Sequence, residues 1–244
     1  MRKYDTISTG IPKLDEYLGG GIFTNSMVLI SYQTGFRYTE FISWMMPVMT
    51  GREFFVILVD YIRPVEELLK MAGILEFKEE EVKNDKVYVS FDRMRIINCF
   101  SSDVNKKLDL GDKVLTLDDP FDVDKLFSMM RSVREKLPKD AWVIWVFWSL
   151  TDLSIGLSEE EIPRFFRRVS RLHKSYDDLA FYLLNMDAHN PKFLALIAQL
   201  VDVIINFKIE ETEEKLRNYI QVVKSPLPVD TTKLYYDIDP NGKR

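Results

Sequence analysis

Sulfur and imidazole chemistry are almost missing from this sequence: 244 residues contain one cysteine, Cys99, and two histidines, His173 and His189. A lone cysteine excludes an internal disulfide, and three such residues cannot fill the Cys/His cage of a structural zinc site. Cys99 and His173 have no partner that the sequence identifies for a nucleophile and its base, so no catalytic dyad is proposed. An excess of positive charge is also absent. Thirty-three basic residues face 38 acidic ones, a net charge of -5, which disfavours a general nucleic-acid clamp. The longest apolar run, Ala141 to Trp148, is too short to cross a bilayer, and Met1-Arg2-Lys3-Tyr4-Asp5 has no apolar signal core. A cytoplasmic location is therefore expected. No period of about 20 to 50 residues recurs and no stretch is low in complexity, which leaves one domain over residues 1–244 as the expectation.

What is present is core material, 46% of the residues being hydrophobic. Short apolar runs occur at Met27 to Ile30, Phe54 to Val59, Val87 to Val89, Lys113 to Thr116, Trp142 to Phe147 and Leu179 to Leu184. Continuous runs of this length suit strands covered on both faces. Helix signals separate them. Thr39-Glu40-Phe41-Ile42 starts one helix, and Pro64-Val65-Glu66-Glu67 puts proline and acids in the first turn of another. Asp122 to Leu137 has helical spacing and stops before Pro138, and Ser158-Glu159-Glu160-Glu161 caps a helix running towards Tyr176. Alternating strands and helices predict an α/β fold with a mostly parallel sheet. Val203 to Glu210, Leu216 to Lys224 and Lys233 to Ile238 predict an antiparallel C-terminal edge.

In such a sheet a ligand is expected at the carboxyl ends of the strands, with phosphate cradled by a glycine-rich loop. The loop in that place is Ser31-Tyr32-Gln33-Thr34-Gly35-Phe36-Arg37-Tyr38-Thr39. Set beside G-x-x-x-x-G-K-[ST], only Thr39 fits; Tyr32 and Arg37 take the glycine positions and Tyr38 the lysine position.

The segment before it, Ile7-Ser8-Thr9-Gly10-Ile11-Pro12-Lys13-Leu14-Asp15-Glu16-Tyr17-Leu18-Gly19-Gly20-Gly21-Ile22, resembles the opening of RecA/KaiC-like ATPase domains, the archaeal KaiC-like proteins above all. Further matches follow in order at Arg63 to Leu68, at Trp148-Ser149-Leu150-Thr151-Asp152-Leu153 and at Val222-Val223-Lys224-Ser225-Pro226, so the resemblance spans nearly the whole chain. It implies a three-layer RecA-like core of the P-loop NTPase type. It also exposes four departures. Tyr38 stands where relatives carry the loop lysine, Trp148 where an aspartate organises magnesium, Ile62-Arg63 where an acidic pair polarises water, and Pro226 where an arginine reaches a neighbour's nucleotide; Lys224 of that last motif remains. Phosphoryl transfer is catalysed by positioning and charge neutralisation, so these losses together predict a pseudo-ATPase with no catalytic residue, metal or cofactor.

Several residues carry two readings. Arg37 either replaces the lysine towards an anion or is an exposed loop arginine. Tyr32, Phe36, Tyr38 and Trp148 either plug the former ligand edge or form a partner-docking surface. Trp142 and Trp148 share one sheet face and Trp145 takes the other. Arg164, Arg167, Arg168, Arg171 and Lys174 form a basic helical stripe, read as a solvated face or as a patch for an acidic partner or nucleic acid. Asp187-Ala188-His189 reads as a loop after a strand.

The expectation that follows is a catalytically inactive RecA/KaiC-like domain that binds a protein or peptide in a regulatory or scaffolding role, as a monomer or dimer. The alternatives are a non-hydrolysing nucleotide or anion binder using Gly35, Arg37 and Thr39, and a DNA-associated recombinase paralogue. Few glutamines and many Lys, Arg and Glu residues fit a heat-adapted source, the resemblance points to archaea, and ten methionines argue against heat adaptation.

Overall fold

An apolar run in which neighbouring residues are all hydrophobic can bury both its faces only inside a layered sheet, because successive strand side chains point in opposite directions. The computed structural model of the chain describes residues 6–36, 54–65, 67, 91–100, 111–158, 160–212 and 216–236, and it places these runs in one nine-stranded sheet. The strands are β3 (Met27–Tyr32), β4 (Phe54–Asp60), β5 (Met94–Asn98), β6 (Val114–Thr116), β7 (Trp142–Trp148), β8 (Leu179–Asn185), β9 (Val203–Glu211), β10 (Leu216–Lys224) and β11 (Leu234–Tyr236), in the order β11-β10-β9-β3-β8-β7-β4-β5-β6. All pairings from β9 to β6 are parallel, and β10 joins β9 and β11 antiparallel. The mostly parallel sheet with an antiparallel C-terminal edge is thus the observed topology.

Residues alternate between two apolar clusters. Val28, Ile30 and Tyr32 face one side with Ile144, Val146, Trp148, Phe181 and Leu183, and the partly buried Trp142 packs against that cluster. Met27 and Leu29 face the other with Val143, Trp145, Phe147, Ala180 and Tyr182. Among the described residues, four helices cover this second side: α2 (Val123–Lys136), α3 (Leu150–Ile155), α4 (Glu161–Ser175) and α5 (Pro191–Leu200). The three tryptophans divide between the faces as their spacing requires. Caps fix the helix starts. Asp122 accepts from the Lys125 N–H at 2.8 Å, and Ser158 and Glu161 exchange two hydrogen bonds, of 2.8 and 3.3 Å, as a capping box does.

At the N-terminus a two-stranded pair, β1 (Thr6–Ile7) and β2 (Ile22–Phe23), brackets α1 (Pro12–Tyr17). Asp15 holds this segment together. Its carboxylate accepts from Ser8 Oγ at 2.5 Å and from the Thr9 N–H and Oγ1, both at 2.7 Å. Gly21 lies at φ +121°, and a Cβ there would sit 2.5 Å from the Ile7 carbonyl oxygen, so no larger residue fits.

Besides β1, α1 and β2, three described elements had no reading in the sequence. β5 is interrupted by Arg95, whose guanidinium folds back onto the Asp92 and Met94 carbonyls at 3.0 and 2.8 Å; α3 is short; and α5 follows the turn at Asn190, which caps it through the Phe193 N–H at 2.8 Å. The helix predicted from Thr39, the strand Val87 to Val89, the helix beyond Glu67 and the end of the last strand, Asp237-Ile238, lie outside the described residues, as do Arg37, Tyr38 and Thr39. Among the described residues, no helix is long and apolar enough to cross a membrane.

Candidate functional site

β3 and β4 follow one another in chain order among the described strands but stand apart in the sheet, with β8 and β7 between them. Crevices at such a change of direction, at the carboxyl ends of the strands, are where open α/β sheets place ligands. Four strand ends converge here: Tyr32 to Phe36 after β3, Asn185 to His189 after β8, Ser149 to Asp152 after β7, and Asp60 to Arg63 after β4.

The turn after β3 is closed rather than open. Gln33 donates its N–H to the Phe207 carbonyl at 3.1 Å, and its side-chain oxygen accepts from the Ile209 N–H at 2.7 Å, extending the pairing of β3 with β9. The Thr34 N–H donates to Asp187 Oδ2 at 2.7 Å. A carboxylate of the protein therefore takes a backbone donor of the kind that a phosphate cradle presents to its ligand. A polar relay continues across the edge. Asn185 Nδ2 donates to Thr34 Oγ1 at 3.1 Å, the Asn185 N–H donates to Thr151 Oγ1 at 2.9 Å, and His189 Nε2 lies 3.3 Å from the same hydroxyl. The His189 ring stacks on Phe193 with centroids 4.5 Å apart, and burial holds its pKa below the ordinary histidine value. Asp187 and His189 thus sit in a self-satisfied loop network after β8. Among the described residues, no three His, Cys, Asp or Glu side chains gather as a metal ion would need.

The aromatic residues singled out at this edge are buried. Tyr32 and Phe36 are each 7% exposed and Trp148 is 6% exposed. Phe36 packs edge-on against Phe207 at 4.9 Å and against Tyr236 at 6.1 Å. These three side chains fill the edge and are not displayed on it, and for Phe36 the cause is that β9 and β11 bring Phe207 and Tyr236 against its ring. The Arg63 guanidinium lies over the Trp148 ring at 5.3 Å, with Arg63 Nε 3.4 Å from Glu67. A cation and an indole thus meet between the ends of β4 and β7, where the resemblance would place carboxylates. At these two positions the side chains offer no ligand to a magnesium ion: indole is no metal ligand, and Arg63 carries no carboxylate.

One acidic residue at this edge escaped the sequence reading. Asp60, the last residue of β4, is fully buried; its Oδ1 accepts from the Ile62 and Arg63 N–H groups at 2.6 and 3.2 Å, while Oδ2 has no partner. Burial pushes its pKa up to about 6, against the pull of those two amides and of Arg63. An acid closing an otherwise apolar strand was the available signal. Two further groups, Cys99 and His173, are held away from solvent. The Cys99 thiol is 1% exposed and pushed up to about 12 by burial. His173 is driven down to about 3 by burial, with Nε2 2.9 Å from Tyr182 Oη.

Lys224, the retained residue of the C-terminal motif, does not project outward. Its Nζ donates to the Ala198 and Val201 carbonyls at 2.8 and 2.6 Å, capping the end of α5 in its own chain.

No family model matches this chain, and no curated protein does. Among solved structures, 684 chains match it, so its architecture is a widely used one that does not by itself specify an activity. They include the KaiC-like protein of the hyperthermophilic archaeon Pyrococcus horikoshii, with a TM-score of 0.67, 16% identity and coverage of 98% of each chain. The fold is RecA/KaiC-like.

Proposed function

We propose that the chain is a RecA/KaiC-like domain that hydrolyses no ATP and acts by binding a protein or peptide partner, in a regulatory or scaffolding role. The observation that carries the reading is the contact of Arg63 with Trp148 between the ends of β4 and β7. It puts a cation and an apolar ring where phosphoryl transfer calls for a metal carboxylate and a group that orients water. The Thr34 amide bonded to Asp187 and the inward-turned Lys224 point the same way. The best-kept motif, Ser8 to Gly21, serves the fold: Asp15 ties down Ser8 and Thr9, and Gly21 admits the Ile7 carbonyl. Folding residues are retained while groups of the chemistry have changed.

The test is a magnesium-dependent ATPase assay on the purified chain, with release at the buffer blank as the expected result. Turnover abolished by substituting a residue of the 31–39 loop would overturn the reading. A nucleotide-dependent rise in melting temperature without turnover would favour the alternative of a non-hydrolysing binder, since a ligand of the native state stabilises by mass action. Without a nucleotide bridging subunits, light scattering at micromolar concentration is expected to give a monomer or dimer.

A further inference from the structure

The basic stripe of α4 lies on the arc of the helix opposite its core face. Phe165, Phe166, Val169 and Leu172 turn inward, whereas Arg164, Arg167, Arg171 and Lys174 are exposed and Arg168 is half-buried. A stripe of this kind is ordinarily neutralised by acids along the same helix and its neighbours, and three of the five are. Arg164 meets Glu160 at 3.5 Å, Lys174 meets Asp202 at 3.5 Å, and Arg168 pairs with Asp124 while lying over the Phe127 ring at 4.4 Å. Arg167 and Arg171 make no ion pair or hydrogen bond among the described residues. They stand four residues apart on one face, a separation of about 5–6 Å between Cβ atoms.

Each of these two arginines borders a groove. The groove between α4 and α5, of about 340 Å³, is lined by Arg164 and Arg167 with Pro163, Lys192, Phe193 and Leu196. The groove between α4 and α2, of about 420 Å³, is lined by Arg168 and Arg171 with Phe127, Leu172 and Tyr176. Both have apolar floors and rims on which three cations stand beside one acid, Glu160 in the first groove and Glu135 in the second, each acid being paired with an arginine four residues away on its own helix, Arg164 and Arg131. That combination of floor and rim discriminates between polyanions. A nucleic-acid backbone would use the cations alone and leave the apolar floors of both grooves uncovered. A lipid surface calls for exposed apolar side chains on the basic face itself, and none stands among Arg164, Arg167, Arg171 and Lys174. A peptide that alternates carboxylates with apolar side chains uses both features, carboxylates on the free guanidiniums and apolar groups in the grooves.

We propose that the exposed face of α4, centred on Arg167 and Arg171, docks an acidic polypeptide segment whose carboxylates are spaced one helical turn apart and whose apolar side chains enter the flanking grooves. The proposal rests on the reading of this chain as a binding module, and it gives the partner's chemistry and the surface that recognises it. The stretch from Arg164 to Lys174 is about 15 Å long, which matches a helical segment of about ten residues.

The test is fluorescence anisotropy with a labelled peptide of about twelve residues, carrying glutamates at i and i+4 and leucines in the positions between. A second peptide has serine in place of leucine, and a single-stranded oligonucleotide of equal length serves as the third probe. The leucine peptide is expected to bind, the serine peptide at least tenfold more weakly, and Arg167→Glu/Arg171→Glu to weaken the leucine peptide at least tenfold with no change in melting temperature. Lys13→Glu, on the opposite side of the sheet, is expected to leave binding unchanged. Absence of binding, equal loss in Lys13→Glu, equal affinity for the serine peptide, or tighter binding of the oligonucleotide through the same two arginines would each overturn the proposal. The broader reading fails separately. ATP turnover would sink it without touching the α4 surface, whereas peptide binding that survives Arg167→Glu/Arg171→Glu would sink the surface and leave the binding module standing.

Discussion

Replacing Phe36 by alanine separates a plugged edge from a docking edge. The ring is 7% exposed and rests against Phe207 and Tyr236, so truncation removes buried apolar surface and two edge-on aromatic contacts and opens a cavity. Losses of this type cost about 3–5 kcal/mol in well-packed interiors. Phe36 closes a turn at the end of a sheet, where neighbours collapse more easily than in a central layer, so the lower figure of about 3 kcal/mol applies. For a chain of this length each kcal/mol lowers the midpoint by about 2–4 °C, which predicts a fall of about 6–12 °C. Differential scanning calorimetry at pH 7, with the urea midpoint as a second measure, checks it. A fall under about 2 °C would mean that the ring is not part of the core in solution. If such a variant also lost a partner bound by the parent, Phe36 would be an anchor and the plug would be refuted.

Asp60 predicts a pH signature. Its folded pKa of about 6 lies above the ordinary carboxyl value of 3.8, so the folded chain holds this proton more tightly than the unfolded one. Its stabilising contribution is complete below about pH 4 and disappears as pH rises through 6. Asp60→Asn stays neutral throughout; it is expected to gain on the parent between pH 4 and 6.5, by an amount on the order of 3 kcal/mol, and a constant difference across that range would refute the assignment. Asp178 is fully buried with Arg134, accepting from its Nε at 2.9 Å and from Trp145 Nε1 at 2.9 Å. Asp178→Asn leaves a buried guanidinium uncompensated and is expected to cost about 3–5 kcal/mol in urea unfolding; a loss below 1 kcal/mol would show that water reaches the arginine. Gly21→Ala forces a Cβ onto the Ile7 carbonyl at positive φ and is expected to cost at least about 2 kcal/mol, whereas Gly20→Ala, with open space at its Cβ position, is expected to cost less.

Local chemistry determined those parts of the chain that need only near neighbours. Apolar runs such as Phe54 to Val59 and Trp142 to Phe147 had to become strands covered on both faces, and the two-residue side-chain period placed Trp145 opposite Trp142 and Trp148. Capping at Asp122 starts α2 at the next residue, and the Ser158–Glu161 exchange shapes the turn that leads into α4 at Glu161, because a side chain reaching an amide three residues on needs no tertiary partner. Motif spacing likewise indicated the RecA/KaiC-like architecture. The tertiary structure decided whatever depends on contacts between distant segments. The strand β5 forms across Arg95 because the flanking strands β4 and β6 pair with it, and no local pattern encodes that pairing. Lys224 turns to the end of α5 because the register of β10 on β9 carries it there, and Phe36 becomes a plug because β9 and β11 bring Phe207 and Tyr236 over it. The protonation of Asp60 depends on burial and on an oxygen left without a donor. Local sequence fixes strand and helix propensity over a few residues, whereas burial, charge pairing and access to solvent are set by which segments fold against one another.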